Sequence, residues 1–321
     1  MNNVNISQFT ITLPGSNQFY ANGRQQMPVL ITIQKQEFSG SGWNNVDLND
    51  EEKRSVTVRE INRDNLPVGW DVDQAPNGYS QGIRGLSYEE MDREIDNNTE
   101  RSGPEPFAGA TRIFRYLRSN QRVETRIFMA AVTIQFRDAN NQLQRRVITT
   151  SFNADGMVFS SSISLLPVPP LRILASALNR DVDIGHSRSD SKGHWAQVDV
   201  YYWTLPSGVR VHSDTAFNSG NTTLRNNLRI FFDSGRYTSG WMARNRTSLR
   251  VNEIRSDNSS ALVNLRHGHG DIRAINYYNN RNNQNIIING QVSVDIIDNF
   301  GNLHQFSLRT INNQDVVISN R

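Results

Sequence analysis

No cysteine occurs in the 321 residues, which excludes disulfides and thiolate metal sites and leaves stability to burial alone. Lysine is nearly as scarce: only Lys35, Lys53 and Lys192 stand among the 34 basic residues, and the rest are arginine. Arginine makes planar, bidentate and stacked contacts that lysine does not, so the bias reflects either arginine-mediated interfaces or lineage. Long hydrophobic runs are also missing. The longest apolar stretch, 163–178, is broken by Pro167, Pro169, Pro170 and Arg172, short of the roughly 18 residues a membrane helix needs. The start, Met1-Asn2-Asn3-Val4-Asn5-Ile6, lacks the basic-then-apolar order of a secretory signal. Synthesis in the cytoplasm without a signal peptide is the expectation, with any release by a non-classical route.

Catalytic signatures are absent too. There is no Gly-x-Ser-x-Gly elbow, Walker-type loop, dinucleotide glycine pattern or zinc-protease helix. The densest acidic group, Glu89, Glu90, Asp92 and Glu94, falls on an expected solvent-facing helix and makes a poor glycosidase pair. An enzyme is therefore not expected, and neither is a cofactor. Carboxylates nearly balance the arginines, for a net charge of +3. Arg244, Arg246, Arg250 and Arg255 form the densest basic cluster, but a nucleic-acid binder concentrates charge more than this.

What is present is a module that occurs twice. Val132–Asp138, a four-residue turn and Leu143 are matched by Val292–Asp298, a four-residue turn and Leu303, about 160 residues later. Upstream, Arg112–Tyr116 matches Arg273–Tyr277. The pattern is that of a β module closing each half. Ala130, Val132, Ile134 and Phe136 alternate with Thr133, Gln135 and Arg137, the signature of a strand buried on one face. Short alternating stretches at 9–13, 29–33, 55–59, 198–203 and 228–232, separated by Pro, Gly and Asn turns, extend this pattern. The expected fold is mainly β: two antiparallel sandwich-like domains, 1–160 and 161–321, related by a partial internal duplication and joined near Ser160–Pro170. A long surface loop is expected over 66–106. Short helices are expected over Tyr88–Asp96, behind the Ser87–Glu90 capping box, and over Leu171–Leu178. Strands are expected over Leu249–Ile254 and Leu262–Leu265, and a polar, flexible stretch over Asp181–Lys192.

Three sets of residues are candidates for function. Trp43, Trp70, Tyr79, Trp195 and Trp241 sit within two residues of Gly, Ser or Asn, as aromatic residues do in sugar sites and at the centres of protein interfaces. Arg118, Asn140, Tyr278, Asn280, Arg281 and Asn283 lie in or beside the module hairpins, where side-chain amides could form ladders between subunits. His267, Asp271 and His269 could converge on a metal if the segment were a strand, because alternate side chains share a face. The loop carboxylates and imidazoles of Asp181, Asp183, His186, Asp190 and His194 form a second polar cluster. The leading expectation is a non-enzymatic structural protein that self-assembles through β faces and loops, as in a bacterial tube, fibre or surface component. The alternative is a module for glycans or a host-cell receptor, toxin-associated in one version and built on the loop aromatics. A metal-dependent hydrolase at the histidines comes third.

Overall fold

The computed structural model describes residues 3–85, 109–120, 124–138, 140–151, 159–214, 223–225, 228–255, 259–281 and 288–321. The expected helix at Tyr88–Asp96 and the candidate Asn283 lie outside them. The chain is mainly β, built from several antiparallel sheets, and it divides into two compact units, Met1–Leu171 and Arg172–Arg321. The division falls after 171 because the strand at 163–168 pairs within the first unit. No helix among the described residues is long and apolar enough to cross a membrane.

The strands of the first unit are β1 (Val4–Thr12), β2 (Gln18–Tyr20), β3 (Met27–Phe38), β4 (Trp43–Val46), β5 (Thr57–Glu60), β6 (Trp70–Asp73), β7 (Thr111–Ser119), β8 (Arg126–Arg137), β9 (Leu143–Thr149) and β10 (Ile163–Val168). One sheet runs β1-β3-β7-β6, with β4 on β3; the other runs β2-β10-β8-β5, with β9 on β8. The apolar phase of each strand decides the packing. Phe9, Ile11, Val29, Ile31 and Ile33 of the first sheet meet Val58, Phe128, Val132, Ile134 and Leu165 of the second in one buried cluster. A helix, α1 (Asp50–Ser55), sits between β4 and β5, and Asn49 with Glu52 closes a capping box at its start. The buried Arg115 side chain caps its far end, donating to the Lys53 and Val56 carbonyls.

The second unit contains β11 (Asn179–Ser189), β12 (Trp195–Thr204), β13 (Val211–Asp214), β14 (Thr223–Arg225), β15 (Leu228–Asp233), β16 (Tyr237–Met242), β17 (Ile272–Asn279), β18 (Ile288–Asn289), β19 (Gln291–Asp298), β20 (Leu303–Ile311) and β21 (Asp315–Asn320). Its larger sheet runs β11-β12-β17-β16-β15-β14, with β18 on β15; the smaller runs β13-β19-β20-β21. Val198, Val200, Tyr202, Ile230 and Ile275 line one face of the larger sheet and are covered by Leu249, Val251, Ile254 and Val263. That covering segment departs from the expected strands: Val251–Ile254 is a short helix, α2, and Arg250 and Leu262 form an isolated bridge flanked by backbone bonds from Val251 N–H to the Ala261 carbonyl and from Val263 N–H to the Leu249 carbonyl. Tyr201, Trp203 and Trp241 lie on the opposite face, where Tyr201 donates to the Gln314 carbonyl and Thr310 to Ser239.

Two further expectations change. The expected flexible stretch at Asp181–Lys192 is largely strand β11, where Asp181-Val182-Asp183-Ile184 alternates as a strand should. The expected helix at Leu171–Leu178 is extended chain with a single tight turn at Ala175–Ala177. Its backbone N–H groups bond outward rather than along a helix: Ile173 donates to His304 Nδ1 and Ala175 to Asn320 Oδ1.

The module turns are built alike. Asp138 Oδ1 accepts from the Asn140 and Gln142 N–H groups, and its Oδ2 accepts from Gln144. Asp298 Oδ1 accepts from Phe300 and Asn302, and its Oδ2 bonds His304 Nε2 at 2.9 Å. The third turn residue takes positive φ in both, Asn141 at 63° and Gly301 at 84°. One turn is exposed and the other buried, so Gln144 in the first is replaced by a fully enclosed His304 in the second.

Candidate polar cleft in the first unit

The turn joining β2 to β3 and the loop after β6 are fastened together by two buried glutamines. Asn22 Oδ1 accepts from the Arg24 and Gln25 N–H groups, both at 2.9 Å, which turns the chain from β2 into β3. Gln25 is fully buried; it accepts from Tyr20 N–H and donates to the Ser80 and Gly82 carbonyls. Gln26 accepts from Asn77 N–H at 2.8 Å and donates to Asp73 Oδ2 at 2.6 Å. Asn77 in turn donates to the Arg24 carbonyl. These bonds satisfy the polar groups of a loop that has little apolar surface of its own.

The result is an open cleft of about 610 Å³, lined by Arg24, Gln26, Asp73, Asn77, Tyr79 and Arg118 among others, within the size range of small-molecule sites. Arg118 is the electrostatic centre. Its Nε meets Asp73 at 2.9 Å, its Nη2 meets Asp71 at 3.3 Å and its Nη1 donates to the Gly23 carbonyl at 3.1 Å. Three directions of the guanidinium fork are thus committed inside the protein. Asp73 lies directly opposite Tyr116 across the β6–β7 pair, and burial pushes the Tyr116 phenol above its ordinary pKa. Tyr116 is therefore a neutral hydroxyl at ordinary pH.

The structure sorts the candidates. Tyr79 and Arg118 both line the cleft. Trp195, Tyr278 and Asn280 meet at one end of β12 and β17, where Tyr278 contacts Trp195 at 4.4 Å and Tyr237 at 4.7 Å. Asn280 closes that end, bonding the Trp195 backbone and the Gly193 carbonyl. Arg281 and Asn140 are exposed turn residues. Trp43 is 46% exposed and packs edge-on against Phe38.

Two tryptophans are core residues rather than loop contacts. Trp70 begins β6, is 6% exposed and lies between Phe19 and Phe128. Trp241 is 3% exposed and faces inward opposite Ala274. The histidine triad is not assembled. Gly268 and Gly270 take φ of +69° and +77°, so the segment is a turn and the same-face geometry of a strand does not apply. Asp271 accepts from the Leu205 N–H, and the His269 ring leans edge-on against Tyr202. Asp181 and Asp183 both pair with Arg266. No group of three His, Asp or Glu side chains among the described residues is arranged to hold a metal.

Sequence reasoning missed Gln25, Gln26, Asp73, Phe114 and Tyr116. Arg112-x-Phe114-x-Tyr116-x-Arg118 did carry a signal, an alternation that puts two rings and two cations on one strand face. No protein-family model matches the chain, and no curated protein matches it at the significance required.

Proposed function

We propose that the chain is a non-enzymatic binding protein and that the cleft of the first unit takes a neutral carbohydrate. The observation behind this reading is the collection of a tyrosine ring, a carboxylate and side-chain amides on a loop fastened by Gln25 and Gln26. A sugar offers a C–H face to a ring and hydroxyls to a carboxylate or amide. Arg118 is held by Asp71, Asp73 and the Gly23 carbonyl, which favours an uncharged ligand over an anion. A fastened site also loses little entropy on binding. Asp73 is the one carboxylate among the described lining residues, whereas glycoside hydrolysis ordinarily uses two. Calorimetric titration with neutral sugars should show binding that Tyr79→Ala weakens about tenfold, roughly 1.4 kcal/mol. Failure of every neutral sugar to bind would reject the reading.

Self-association is a second reading, supported by exposed apolar residues on edge strands. Leu143 and Val147 on β9 are 56% and 48% exposed, and Ile184 on β11 is 63% exposed. Among the described residues each strand has one pairing partner within its sheet, which leaves an edge for another chain. Light scattering with negative-stain microscopy should then show large regular species, and a monomer at all concentrations would rule it out.

A further inference from the structure

The cleft continues onto the outward face of the first sheet. Directly opposed residues of antiparallel strands share a face, so the register can be followed in rows. Asp73, Tyr116 and Pro28 form the row next to Arg118. Phe114, Leu30 and Thr12 form the following row, and Arg112, Thr32 and Thr10 the one after. Phe114 is 44% exposed, and its ring lies 6.5 Å from that of Tyr116 with the planes within 23° of parallel. The core cluster is built from the opposite phase of these strands, so folding does not require an aromatic residue at 114. From Tyr116 to Arg112 is four strand residues, roughly 13 Å. A mixed face, with Tyr116 and Phe114 along β7, Pro28 and Leu30 beside them, and three threonines and Arg112 towards its far end, thus leads away from the cleft.

We propose that the ligand is an extended neutral oligosaccharide, with one ring held at Tyr79 and the following rings lying along β7 over Tyr116 and Phe114. This rests on the cleft being a carbohydrate site. The threonine hydroxyls and Arg112 would serve ring hydroxyls, while the aromatic faces take the C–H surfaces. The length of the strip accommodates only a few rings beyond the cleft.

The test is ligand-observed NMR titration of the full chain, which reads millimolar as well as micromolar binding. The probes are neutral gluco-, manno- and galacto-configured sugars of one to six rings. Affinity should rise about tenfold or more between one ring and three or four, then level off. Phe114→Ala should abolish that rise while leaving one-ring binding unchanged, and Phe114→Tyr should restore it. Tyr79→Ala should weaken every length. Because residue 114 is exposed, an unchanged melting curve identifies the loss as local. Equal affinity at all lengths, with Tyr79 still required, overturns the extended site and leaves the cleft reading standing. A Phe114→Ala protein that keeps the full rise with length also overturns it. No binding of any length overturns the cleft reading and this proposal with it.

Discussion

Lys35→Met removes one charge from a pair that water scarcely reaches. The Lys35 side chain is 6% exposed and that of Glu52 is 0% exposed, with Nζ 3.1 Å from Oε1. Losing one member of a buried pair typically costs about 3–5 kcal/mol, because the other is left charged in a medium that solvates it poorly. Here Glu52 retains two backbone donors, Asn49 N–H and Gln135 N–H, each at 3.0 Å. The expected cost is therefore at the lower end, about 3 kcal/mol. Over a unit of this size that corresponds to roughly 6–12 °C in melting temperature. Glu52→Gln should cost about the same, since its amide would present N–H groups where donors already point and Lys35 would keep only Glu37, at 3.1 Å. The double variant buries no charge at this position and should cost less than the sum of the singles by about 1–3 kcal/mol. Urea unfolding followed by circular dichroism, at low and high salt, measures all three. Additive single effects would refute the coupling. A Lys35→Met cost below about 1 kcal/mol that shrinks with salt would show an exposed pair instead.

Trp70→Ala should destabilise by about 3–5 kcal/mol through the cavity it leaves, and Trp43→Ala by about 0.5 kcal/mol or less; equal thermal shifts would overturn the assignment of one indole to core and the other to surface. Burial, with the Asp315 carboxylate adding to it, holds the Asp199 carboxyl above its ordinary value of 3.8. Its protonated form therefore favours the fold at low pH, and that contribution is lost as pH rises through the raised value. Asp199→Asn should thus stabilise the protein near pH 7, with the gain fading as pH approaches 3.8; melting curves showing the same gain at both ends would contradict the sign. Gly185 sits at a register irregularity of β11, between Ile184 and His186; Gly185→Ala would place a Cβ 2.6 Å from Val263 Cγ1 and 2.7 Å from Val200 Cγ2 and should cost about 1–3 kcal/mol in urea unfolding, and a neutral result would mean that β11 yields freely there.

The sheets were legible wherever one face is buried, since alternation then appears directly in the residues. Val132, Ile134 and Phe136 against Thr133, Gln135 and Arg137 is such a case, and β8 follows it closely. Asp181–Ile184 alternates too, but its polar members are carboxylates whose ion-pair partner Arg266 lies more than eighty residues away in the sequence. Helix α1 is absent from the sequence-based expectations, although Asn49 with Glu52 three residues on forms a capping box. What was not visible is that Glu52 answers Lys35 across the unit, so its charge reads as a solvent-facing acid. The segment 249–263 misleads for a related reason. It supplies apolar side chains to cover a sheet already paired on its own strands, so its apolar residues signal packing without signalling strand.

The same distinction explains why the candidate site was only half visible. Small neighbouring residues point to loop positions for the indoles, but a glycine beside a tryptophan has more than one physical cause. Gly69, at φ +79°, is a turn glycine, yet Trp70 immediately after it starts a strand and turns inward to Phe128. Gly240 has no positive φ at all; a Cβ there would meet Ile230 Cδ1 at 3.0 Å, so it is a packing glycine, and Trp241 beside it is core. Phe114 and Tyr116 have arginines for near neighbours and no turn residue in the motif, and they stand on a strand face open to solvent. Strand phase, which follows from which residues must face the core, decides whether a ring can meet a ligand. Composition around the ring does not, because turns and close-packed sheets use glycine for different reasons.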